Sequence, residues 1–182
     1  MAGATLNGNE SNGFPWRVLG WGGAALLLLL PLVLRAPWTL SDFIVAGVML
    51  GTAGLVLELA VRSSASLAYR VGAGLAVAAS FLLVWVNGAV GFLGDEGNPA
   101  NLVFAAVLGI ALLGSVIAGF RPAGMARAMF AAAAAQLLIG AIAIPLGWAS
   151  PGNAGLFEVV IGTTLFTSLW LVAGALFRKA AA

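Results

Sequence analysis

The chain has 182 residues, of which 62% are hydrophobic and 8% charged, with a formal net charge of +2 and neither Cys nor His. An ordinary soluble domain carries about 45–50% apolar and about 25% charged residues, so this composition excludes a water-soluble surface. It also excludes disulfides, thiolate chemistry, Cys/His zinc sites, imidazole catalysis and His-ligated haem, and its dispersed arginines form no nucleic-acid footprint.

The opening MAGATLNGNESNGF is rich in Gly and Asn and predicts a flexible tail over residues 1–15. No basic segment precedes Trp16, and the next apolar run ends at Leu34-Arg35-Ala36 instead of an A-x-A-like site, so no cleaved signal peptide is expected. Apolar runs between Gly, Pro, Asn and charge punctuation predict spans at 17–35, 40–61, 67–93, 99–120, 123–147 and 156–178. Each is near the roughly 20 residues that a hydrocarbon core demands. The expected fold is an all-α integral membrane bundle of six transmembrane helices in one domain, 16–179, with residues 180–182 as a C-terminal tail. Pro31 lies inside the first span and should kink it, while Gly88, Gly91 and Gly94 weaken the end of the long third span.

Orientation follows from the basic residues. With the N-terminus inside, the cytoplasmic ends carry Arg17, Arg62, Arg70, Arg121, Arg127, Arg178 and Lys179, and the other side only Arg35. Cytoplasmic loops hold the excess of Lys and Arg, and an even number of spans returns the C-terminus to the same side. The other side carries Asp42, Asp95, Glu96 and Glu158, and Trp16, Trp21, Trp38 and Trp148 suit interfacial aromatic belts. The expected location is a bacterial inner (plasma) membrane, multi-pass, with both termini cytoplasmic.

A spacing recurs. Asp42 to Arg62, Asn101 to Arg121 and Glu158 to Arg178 are each twenty residues, and Arg70 to Asn101 and Arg127 to Glu158 are each thirty-one. This predicts three helical hairpins, each with a polar residue opening an outside-to-inside helix at its positive dipole end and an arginine closing it. The same rhythm could arise without common ancestry, because charges must lie near span ends in any case. The opening WRVLGWGGAALLLLLPLVLRAP, followed by SDFIVAGVMLGTAGLVLELAVR, resembles in layout the short repeats of the HdeD-like bacterial acid-resistance membrane proteins. That resemblance implies six spans built from hairpins and a stress-linked role, and carries no activity to any residue. The stretch WVNGAVGFLGDEGNPANL, residues 85–102, departs from that pattern and looks like a segment of small uncharacterised bacterial membrane proteins.

Few residues invite chemistry. Glu58 is the one carboxylate well inside a predicted span, where an acid suggests a proton or cation relay; its spacing to Arg62 equally predicts a helix-terminal ion pair, which is the favoured reading. Asn87 and Gln136 could line a solute path, although interhelical hydrogen bonding is the commoner use of such amides. Thr163, Thr164, Thr167 and Ser168 fall at helical spacings that form a polar stripe, or bond their own helix carbonyls. Asp95 and Glu96 could bind a cation or a basic partner, and a solvated turn ahead of Pro99 is the simpler account. Small residues at Gly47 and Gly51, at Gly72, Ala76 and Ser80, and at Ala131 and Ala135 predict close helix packing, within the chain or against other chains.

No catalytic, cofactor or metal motif stands out, so no enzyme and no cofactor is expected. The expected function is that of a non-enzymatic structural or accessory subunit of a membrane assembly, or a stress-related membrane protein. A channel or transporter for a small neutral solute or protons is the alternative. The expected partners are the lipid bilayer and either other membrane subunits or further copies of the chain, with no nucleic acid.

Overall fold

The computed structural model describes residues 16–182, and the tail expected over 1–15 lies outside the described residues. The helices in order are α1 (Trp16–Val33), α2 (Leu40–Ser63), α3 (Leu67–Ala89), a 3₁₀ turn (Pro99–Val103) leading directly into α4 (Phe104–Ile117), α5 (Pro122–Ala143) and α6 (Gly152–Ala181). Among the described residues there is no strand.

Five of these stretches are long and apolar enough to cross a membrane: α2, α3, Pro99–Ile117, α5 and α6. The sequence predicts six. The difference is α1, whose 18 residues rise about 27 Å, just under the thickness of a hydrocarbon core. α1 runs through Pro31 and ends early because Arg35 takes a left-handed conformation (φ 52°). The chain then turns back on itself, with the Ala36 N–H donating to the Pro31 carbonyl at 2.9 Å.

The chain divides into two compact units, one ending at Gly54 and the other running from Leu55 to Ala182. In the first, α2 starts at a reciprocal cap. The Thr39 N–H donates to Asp42 Oδ2 at 2.7 Å and the Thr39 hydroxyl to the same oxygen at 2.8 Å, while the Asp42 N–H reaches back to Thr39 Oγ1 at 3.4 Å. Two donors left over at a helix start are thereby satisfied. Gly54 faces the Trp21 ring so closely that a Cβ would lie 2.9 Å from Cη2.

In the second unit α6 packs against both α3 and α5, and α5 also against α4. α5 is the most enclosed helix, with half of its most apolar window buried. Its small residues, including Ala128, Ala132, Ala133, Gly140 and Ala143, let neighbouring backbones approach where lipid supplies no hydrophobic drive between helices. The largest buried side chains are Trp170, Phe104 and Phe177. At one end Tyr69 joins three elements: its ring meets Phe177 edge-on at 5.2 Å and its hydroxyl donates to the Phe120 carbonyl at 3.0 Å.

Several predicted boundaries shift, each for a local reason. The third span stops at Ala89 instead of 93, because Gly91 and Gly94 both adopt φ 77° and the chain folds back. α4 stops at Ile117, where Gly119 (φ 56°) and Phe120 (φ 57°) reverse the chain. α5 ends at Ala143, not 147, because Gly147 (φ 67°) turns the chain and the Trp148 N–H returns to the Ala143 carbonyl. α6 begins at Gly152 and continues to Ala181, taking in most of the expected C-terminal tail.

The three arginines of the twenty-residue spacing all fall at or just past helix C-termini: Arg62 in α2, Arg121 after α4 and Arg178 in α6. Their polar counterparts occupy unlike places. Asp42 is in the first turn of α2, Asn101 is inside the 3₁₀ turn, and Glu158 is exposed in the second turn of α6.

Candidate functional site

The polar residues of the second unit form two groups. The first lies where the segment after α3 folds back. Asn101 is buried, and its carboxamide oxygen accepts the N–H groups of Phe92 (3.0 Å) and Leu93 (2.8 Å). Its amide nitrogen donates to the carbonyls of Asp95 (2.7 Å) and Leu93 (3.4 Å). All four hydrogen-bonding positions of the side chain are thus used on one short loop. Asn98 adds a second clasp: its Oδ1 accepts the Ala100 N–H, which starts the 3₁₀ turn, and its Nδ2 donates to the Trp148 carbonyl between α5 and α6.

The loop so held presses Phe92 into the bundle. The ring lies 4.5 Å from Phe104 and 5.7 Å from Phe166, centroid to centroid, and a Cβ on Gly162 would lie 2.8 Å from its Cε2. Leu93 is wholly buried beside it. Asp95 and Glu96 are exposed at the tip, so the acids expected to bind a cation face outward while the asparagines do the structural work. From the sequence alone Asn101 is only a helix opener; the signal of this bracket is an Asn seven to ten residues after the glycines of a Gly-x-x-Gly turn.

The second group lies on the seam between α5 and α6. A Cβ on Gly140 would overlap the Thr163 side chain, and one on Gly174 would lie 2.8 Å from Cε1 of the Phe130 ring, so the two helices run antiparallel in close contact. Gln136 lies one turn before Gly140 on α5, and Thr167 one turn after Thr163 on α6. The register therefore sets Gln136 across from Thr167, with Thr163 on one side and Trp170 on the other. Gln136 and Trp170 are wholly buried. Neither Nε2 nor Oε1 of Gln136 makes a hydrogen bond within the chain, and the same is true of Thr163 Oγ1, Thr167 Oγ1 and Trp170 Nε1. Thr164 and Ser168, of the same expected stripe, are exposed.

The other expected residues are apart from this seam in their bonding. Glu58 accepts a hydrogen bond from Arg62 one turn on, and has a further interaction besides. Asn87 donates from Nδ2 to the Leu83 carbonyl of its own helix at 2.7 Å, leaving Oδ1 buried without a partner. Ser80 and Ser115 likewise donate to the carbonyls four residues back, Ala76 and Ala111. A notch of about 350 Å³ opens between the end of α5 and the start of α6, lined by Ile144, Ala149, Ser150, Pro151 and Leu156 among others, with no charged group on its wall. Among the described residues no group of three or more carboxylates is placed to hold a metal ion. Chemically, the arrangement offers neutral hydrogen bonding on one helix seam, with no ionisable acid or base among Gln136, Thr163, Thr167 and Trp170.

The chain matches no protein-family model, no curated protein and no solved structure.

Proposed function

We propose that this chain is a non-enzymatic polytopic membrane protein that acts through its packed helices, as a structural or accessory subunit of a membrane assembly or as a stress-related membrane protein. In this reading it crosses a bacterial inner membrane six times as three hairpins, with both termini cytoplasmic and α1 reaching the interface through its flanking residues. The distribution of basic residues, seven of eight on one side, supports the orientation. The layout resemblance to HdeD-like proteins supports the stress-related variant.

The observation that carries the structural reading is how the polar residues at membrane depth are used. Glu58 pairs with Arg62, Asn87, Ser80 and Ser115 bond their own helices, and Asn101 is saturated by a loop. Groups committed in this way stabilise a bundle and present no continuous path. One observation favours the second reading, a channel or transporter for a small neutral solute or protons: the uncommitted amide of Gln136 near the middle of α5.

Reconstitution into liposomes separates the two. Proton, urea and glycerol fluxes equal to those of empty vesicles, unaltered by Glu58→Gln, are the expected result. A saturable flux that Gln136→Leu abolishes would replace the structural reading with the transport one.

A further inference from the structure

We infer that the seam between α5 and α6 is a binding site for a small neutral molecule that both donates and accepts hydrogen bonds, and that in the purified protein this molecule is water. Gln136, Thr163, Thr167 and Trp170 hold it. The inference goes beyond the structural reading and stands whether or not the protein conducts anything.

Five buried polar atoms belong to residues that the register places on the facing sides of α5 and α6, and none makes a hydrogen bond within the chain. Between them they offer a carboxamide with two N–H donors and an acceptor oxygen, two hydroxyls that act either way, and one indole N–H. Buried polar groups in proteins are almost always satisfied, and each exception calls for a partner, commonly an internal water held by two to four such groups. In hydrocarbon the demand is stronger, because no solvent relieves an unpaired group.

The two threonines do not take the carbonyl one turn back, which is the arrangement Ser80 and Ser115 adopt in α3 and α4. Gln136 is wholly buried, so neither lipid headgroups nor a partner chain can reach it. The stretch from Ala132 to Gly140 on α5 and from Thr163 to Trp170 on α6 carries no charged residue, and the nearest cation on the seam is Arg178, over the Phe130 ring beyond Gly174, so the guest is neutral. Thr163, Thr167, Trp170 and Gly174 recur at helical spacing on the α5-facing side of α6, while Gly162, Phe166 and Phe177 turn toward Phe92 and α3. The polar atoms thus share one face and are not scattered through the core.

Hydroxyl-radical footprinting of the protein in lipid nanodiscs tests the assignment, since radicals made by radiolysis of water oxidise buried side chains only where water is bound beside them. Trp170 and Met129 are almost equally buried, and methionine is intrinsically the more easily oxidised. Oxidation at Trp170 clearly above that at Met129 is expected, with its loss in Gln136→Leu or in Thr167→Val. Trp170 oxidised no more than Met129 would overturn the proposal and leave direct pairing of Gln136 with Thr167 as the account. Oxidation that persists unchanged in folded samples of both variants would also overturn it. Should either variant fail to fold, the wild-type comparison of Trp170 with Met129 still decides.

Discussion

The hydroxyl of Tyr69, at the start of α3, donates to the backbone carbonyl of Phe120, in the turn between α4 and α5, across fifty-one residues of sequence. Phe120 is one of two non-glycine residues with positive φ among the described residues. A left-handed conformation costs an ordinary residue roughly 1–2 kcal/mol, so the turn persists because something else holds it. The Tyr69 contact, together with the Met125 sulfur that accepts from the same hydroxyl, is that hold. Tyr69→Phe keeps the edge-on ring contact with Phe177 and removes only the hydrogen bonds. It should destabilise the bundle by about 1–2 kcal/mol in reversible detergent unfolding, and combining it with Phe120→Gly should recover part of the loss. An unchanged midpoint for Tyr69→Phe would show that the turn is held by other contacts.

Asn101 should be the most sensitive polar position. Asn101→Ala leaves two N–H groups and two carbonyls without their partner, and is expected to cost about 2–4 kcal/mol, taking each bond near the middle of its usual range. Asn101→Asp keeps the shape and the two acceptor bonds from Phe92 and Leu93, but sets a carboxylate against the Leu93 and Asp95 carbonyls. It should be nearly as harmful as Ala. Faster hydrogen exchange over residues 91–98 in both variants is the check; protection equal to wild type in either one would contradict the bracket.

Gly140→Ala should weaken the α5–α6 seam by about 1–3 kcal/mol, the range for inserting a methyl group where there is no space. The new methyl meets the Thr163 side chain, so Thr163→Ala in the same chain should restore some of the loss. Gly109, in α4, has no heavy atom within 4 Å of an added Cβ, and Gly109→Ala should change stability by less than about 0.5 kcal/mol. Equal effects at 140 and 109 would mean that the seam is not closely packed.

At the start of α2, Thr39→Ala removes the side-chain acceptor for Asp42 and the donor to its carboxylate, with an expected cost of about 1 kcal/mol. Thr39→Ser preserves both bonds and should stay close to wild type. Thermal unfolding of the three proteins side by side decides it, a loss in the Ser variant equal to that in Ala being the contrary result.

The helices were legible because runs of apolar residues and the length of a bilayer-crossing helix are properties of the sequence itself, and all six helix positions could be read from them. The ends were less so. α3 stops at Ala89 because an asparagine twelve residues on pins the returning loop, and no window centred on α3 contains that information. Arg35 and Phe120 hide their left-handed turns, since neither residue type announces one. In the candidate site, Glu58 and Arg62 were legible from i,i+4 spacing. Gln136 and the threonine stripe were visible as residue types, but only the antiparallel register of α5 and α6 shows that Thr163 and Thr167 face Gln136 while Thr164 and Ser168 turn away.

That the chain crosses the bilayer with its arginine-bearing helix ends inside is tested most directly by labelling single cysteines, since the natural sequence has none. Cysteines at Ala36, Glu96 and Ser150 should react with a membrane-impermeant maleimide in intact spheroplasts, and those at Ser64 and Ala182 only after permeabilisation. Labelling of Ser64→Cys in sealed cells, or of Ala36→Cys only in opened ones, would contradict the six-span, termini-inside arrangement.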